Sequence, residues 1–128
     1  MLKTTDEGLL QTGKEIKLDV TVWCYSSTDK LDVYYTTNAA PPVTWTPVVT
    51  NLTCTGAGAK TFTHMFNLGA TAGEHAVRAQ FRYGGAAAAC VSGSYNDRDD
   101  IVFSVTDSAP QVTSTQTAKQ VRGRSAAR

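Results

Sequence analysis

No stretch of this sequence approaches the run of about 20 apolar residues that a membrane-crossing helix needs. No window of useful length repeats its apolar residues at the helical period, which argues against a bundle or an alternating strand–helix fold. The formal net charge is only +1, with 18% charged residues, so no overall field points to nucleic acid or an anionic membrane. The three cysteines form no C-x-x-C pair and have no histidine at zinc-ligand spacing, which disfavours a structural zinc site. His64 and His75 are the only histidines. There is no Gly-x-Ser-x-Gly, no phosphate-binding loop and no His-Glu-x-x-His, so the expectation is a non-enzyme. Met1-Leu2-Lys3 opens without an apolar signal core, and a secreted form is therefore read as a processed piece of a longer chain. No internal repeat is found.

What the sequence does contain is strand alternation. From Lys14 to Tyr25, Ile16, Leu18, Val20, Val22 and Cys24 fall on one face, and Lys17, Asp19, Thr21, Trp23 and Tyr25 on the other. After a turn over 26–30, Leu31, Val33 and Tyr35 alternate with Asp32 and Tyr34, which predicts a hairpin partner. Pro41 and Pro42 end that strand, because neither can donate to an interior ladder. Further strand regions are expected over 43–53, over 61–68 with Phe62 and Phe66 inward, over 75–83, and over 100–106 with Ile101, Phe103 and Val105 aligned. The fold class predicted is all-β, an antiparallel β-sandwich of jelly-roll or Greek-key type with about six to eight strands. Residues 1–13 are read as a lead-in or short edge strand, 14–106 as the sandwich domain, and 107–128 as a basic tail or linker. Residues 1–106 carry net charge −2 and the tail +3.

The chain is organised around Ala76 to Val105, two alternating strands separated by a Gly/Ala/Ser loop with a cysteine and an acidic knot. Cys24 ends a core strand on its inward face and Cys90 follows the fifth strand, so a Cys24–Cys90 disulfide closing most of the domain is expected. Cys24–Cys54, Cys54–Cys90 and three reduced thiols remain open. Asp97, Asp99 and Asp100 crowd three carboxylates into four residues. Hard oxygen ligands in an irregular loop suit calcium, and a structural Ca2+ is the cofactor expected there. In an extended strand Asp97 and Asp99 share a face and Asp100 points away. The alternative is that these carboxylates cap turns and pair with Arg98, Arg78 or Arg82. Trp23, Tyr25 and Tyr34 are read as one outward aromatic platform for stacking on sugar faces. Asn51-Leu52-Thr53 is an N-glycosylation sequon.

The closing Asp99-Asp100-Ile101-Val102-Phe103 resembles the last strand of galactose-binding-like jelly rolls, a group that includes many carbohydrate-binding modules. More broadly, Val22-Trp23-Cys24-Tyr25, Asp32-Val33-Tyr34-Tyr35-Thr36, residues 76–85 and residues 93–100 resemble an accessory module of large secreted bacterial and algal proteins. That similarity covers about residues 14–106. It implies an extracellular β-sandwich, often one of several domains, without catalysis. The expected role is a non-catalytic extracellular or cell-surface module binding glycan or a surface polymer. The alternative is a structural subunit of an extracellular filament or surface assembly, with copies of itself or neighbouring domains as partners.

Overall fold

A computed structural model describes residues 1–90 and 95–108. Seven strands form: β1 (Leu2–Thr4), β2 (Glu15–Cys24), β3 (Asp29–Thr36), β4 (Thr46–Thr53), β5 (Gly58–Asn67), β6 (Gly73–Tyr83) and β7 (Asp97–Val105). They build a three-stranded sheet of order β1-β2-β5 and a four-stranded sheet of order β4-β3-β6-β7, with every strand pairing antiparallel. The chain changes sheet at β2→β3, β4→β5 and β5→β6. Because β6 returns to lie beside β3, the connectivity among the described residues is Greek key.

The expected β2–β3 hairpin does not form. Both strands were read correctly, but they lie in different sheets, and β2 instead pairs with β5 from Glu15↔Asn67 to Cys24↔Gly58. The core lies between the sheets, where Ile16 packs with Leu68 and Val105, and Leu18 with Val33 and Val77; Tyr35, Phe66 and Phe103 close the gaps. Register shifts on β4 place Asn51, at φ 61, in a β-bulge opposite Asp32. Asparagine tolerates that left-handed conformation better than most residues.

Two buried polar clusters set the geometry of the four-stranded sheet. In the core, the His75 ring is fully buried; its Nε2 donates to Thr71 O at 2.7 Å, and its Nδ1 accepts from the Tyr35 hydroxyl at 2.6 Å. That hydroxyl accepts in turn from Gly69 N–H, and burial pushes the Tyr35 phenol above its usual pKa despite this bond. A Cβ at position 69 would meet Thr37 Cγ2 at 2.6 Å, so a larger residue there would have to displace the exposed Thr37 side chain. On the outer face, Arg82 and Asp32 form an ion pair at 2.6 Å, both essentially inaccessible. Arg82 uses all five donors: Nε and Nη2 on the Asp32 carboxylate, Nη2 also on Asn51 Oδ1, and Nη1 on the carbonyls of Gly84 and Gly85. Those glycines sit at φ 62 and 74, which aims consecutive carbonyls back at the guanidinium without a Cβ penalty.

At the surface, Asp6 accepts from Lys14 Nζ at 2.5 Å and from Gly8 N–H, and these bonds hold its carboxyl at about 2 against an ordinary 3.8. A depressed carboxylate contributes stability above its unfolded pKa and loses it as pH falls through the folded value. The Asp6 contribution is therefore expected to vanish between about pH 4 and pH 2. An NMR titration finding Asp6 at its ordinary value would contradict the bond to Lys14.

Candidate functional site

The disulfide joins Cys24 to Cys54, with Cα atoms 5.9 Å apart, and Cys90 is free and exposed. The expected Cys24–Cys90 pairing is thereby corrected. Cys24 faces the interior at the end of β2, and Cys54 follows β4 where the chain crosses to the other sheet, its N–H held by Asp29 O. Cys90 lies on the far side of the four-stranded sheet, where its sulfur and Ala89 O meet Arg78. The bridge staples the two sheets together at one end of the sandwich.

Beside this staple lies an aromatic cleft of about 590 Å³, lined by Tyr25, Asp29, Phe81, Tyr83, Tyr95, Asn96 and Asp97. Tyr25 follows β2, Tyr83 ends β6, and Tyr95 precedes β7. Asp29 pairs in register with Tyr83 and accepts from the N–H groups of Tyr25 and Ser26, which fixes the turn that presents Tyr25. The rings of Tyr83 and Tyr95 meet at 5.9 Å with a 56° tilt. All three tyrosines stay open to solvent, at 77%, 60% and 78% exposure. Such rings present apolar faces with polar tips, and Asn96 and Asp97 add hydrogen-bonding groups on the same wall.

The predicted platform of Trp23, Tyr25 and Tyr34 does not assemble. Trp23 is exposed on the outer face of the three-stranded sheet, opposite Ala59 and in line with the Thr21–Thr61 hydroxyl pair. Tyr34 is 5% exposed on the outer face of the other sheet, beside Asp32. Burial first, then the Asp32 carboxylate, pushes its phenol upward. Only Tyr25 of the three reaches the cleft. Of its actual companions, Tyr83 is the last residue of β6 and Tyr95 lies in the turn before β7, so strand alternation does not mark them.

The three aspartates divide as the strand alternation predicts. Asp97 and Asp99 share one face of β7 with Ile101, while Asp100 turns to the other and gives both oxygens to Arg78, at 2.8 Å each. Arg78 also lies 4.5 Å from the centre of the Trp45 ring, and its bonds to Asp100 raise its already high pKa. With Asp100 so engaged, the trio does not converge as one ligand set. Among the described residues, no group of three or more His, Cys, Asp or Glu is placed to hold a metal ion. The sequon residue Asn51 is exposed, yet its N–H donates to Asp32 and its side-chain oxygen accepts from Arg82. Of the expected basic tail, 107–128, residues 109–128 lie outside the described residues, while Ser108 is bonded to Thr12.

No family model, no curated protein and no solved structure matches this chain.

Proposed function

We propose that this domain is a non-catalytic extracellular module that binds a glycan or cell-surface polymer in the tyrosine cleft. The observation that carries the reading is the set of three exposed tyrosines around one cavity walled by Asn96 and Asp97. Aromatic faces stack on the C–H faces of sugars, and the polar wall fixes hydroxyl orientation. The disulfide supports an oxidising, extracellular setting. A structural calcium, the second element of the reading, draws on Asp97 and Asp99 rather than on all three aspartates.

The test is depletion of the purified domain over a panel of insoluble polysaccharides, with calcium and with chelator. One polymer is expected to deplete the protein, and Tyr83→Ala is expected to weaken that binding about fivefold or more, since a stacked aromatic contributes on the order of 1–3 kcal/mol. Retention that is unchanged in Tyr83→Ala and Tyr95→Ala defeats the cleft as the site. Loss of retention with chelator supports the calcium element, and indifference to chelator removes it.

A second reading, a building block of an extracellular assembly, is favoured by β7. It is a nine-residue edge strand carrying exposed Ile101 and Val102, the kind of edge that adds to another chain. Elution as a concentration-dependent multimer that collapses in Val102→Lys would support it.

A further inference from the structure

The two sheets differ in width, and the difference opens one flank. β1 covers the edge of β2 only up to Asp19: Leu2 pairs with Leu18, and Met1 and Asp19 exchange main-chain bonds of 2.6 and 2.8 Å. Beyond that point no described strand continues along the edge. Main-chain groups in a strand face alternate sides. Since Glu15 and Asp19 face β1, Thr21 and Trp23 turn their N–H and C=O groups to this open edge.

Beneath the edge is a groove of about 240 Å³ with an apolar floor that includes Val20, Val22, Leu31, Ala79, Phe81 and Ile101. Asp97 and Asp99 stand on its β7 side together with Arg98, whose place in the strand alternation is that of Asp100, and Met1 and Asp19 line its β1 end. Neither the Asp97 nor the Asp99 carboxylate is in an ion pair among the described residues.

From this geometry we infer that the groove binds a lone, extended, basic polypeptide segment that continues the line of β1 by pairing with Val20–Cys24. Unpaired main-chain donors and acceptors call for another backbone. The apolar floor takes every second side chain of a strand. The Asp97 carboxylate, which accepts from the Arg98 N–H, and that of Asp99 select cationic residues alternating with the apolar ones. β1 already fills the lower half of the same edge in this manner.

The inference does not rest on glycan binding, but the groove shares Phe81 and Asp97 with the tyrosine cleft and Asp97 and Asp99 with the calcium element, so the peptide is measured in chelator. The test uses the full chain and a fluorescein-labelled seven-residue peptide of alternating lysine and valine, followed by anisotropy. Saturable binding is expected, weakening several-fold in Asp97→Asn/Asp99→Asn and at raised salt. Thr21→Pro removes an edge-facing N–H and should lower affinity at least tenfold. Ala79→Phe, which fills the groove without touching the main chain, should do the same if the proline variant folds poorly. Tyr83→Ala should leave peptide binding unchanged, so the cleft and the groove are judged separately. Absence of saturable binding overturns the proposal. So does affinity indifferent to both Thr21→Pro and Ala79→Phe, or displacement of the peptide by a soluble oligosaccharide.

Discussion

Arg82→Met is expected to lower the unfolding free energy by about 3–5 kcal/mol, because it leaves the fully buried Asp32 carboxylate without its counter-charge. Total stability for a domain of this kind is about 5–15 kcal/mol, so the variant should sit near the edge of folding at 25 °C. Urea denaturation at pH 7 measures the effect. The double variant Asp32→Leu/Arg82→Met removes both charges and should recover part of the loss. Recovery stays incomplete because the carbonyls of Gly84 and Gly85 and the amide of Asn51 still lose their donor or acceptor. A single variant within about 1 kcal/mol of the parent would mean that the pair is not buried as described.

The second large effect belongs to Cys24 and Cys54. Closing a loop of 30 residues restricts the unfolded chain, and the chain-entropy argument assigns this about 3.5 kcal/mol. Cys24→Ala/Cys54→Ala should therefore lower Tm by on the order of 12 °C. Cys90→Ser should leave it unchanged, and the parent should show one titratable thiol without denaturant. Non-reducing peptide mapping gives the direct check, since a peptide linking Cys24 to Cys90 would overturn the bridge.

Much of the fold was legible because strand alternation is a local signal. The inward set of β2, Ile16 through Cys24, and that of β7, Ile101 through Val105, both read correctly from period two. Ends were less legible: β7 begins at Asp97 rather than Asp100, since its ladder with Phe81 and Gln80 runs on through the acidic residues. β1, three residues long, is too short for any period to register.

Alternation says which face of a strand a residue occupies, but not which sheet the strand joins. Trp23 and Tyr34 therefore read as neighbours although they lie on opposite outer faces of the sandwich. The same blindness hid the disulfide, because the crossing that brings Cys54 to Cys24 follows β4 rather than a hairpin. Arg82 gave a faint signal, a cation alternating with Arg78 and Gln80 in one strand. Its partner, 50 residues away, could be found only in three dimensions.

The bridge between Cys24 and Cys54 also divides the chain by how it carries load. When tension is applied at the two ends, the 30 residues spanned by the bond lie in a side loop off the line of force. At about 3.4 Å per residue, roughly 100 Å of contour length stays locked away. β3 and β4 fall inside that loop, so while the bond is intact they can come free of the sheet without lengthening the molecule; reducing the bond releases the stored length.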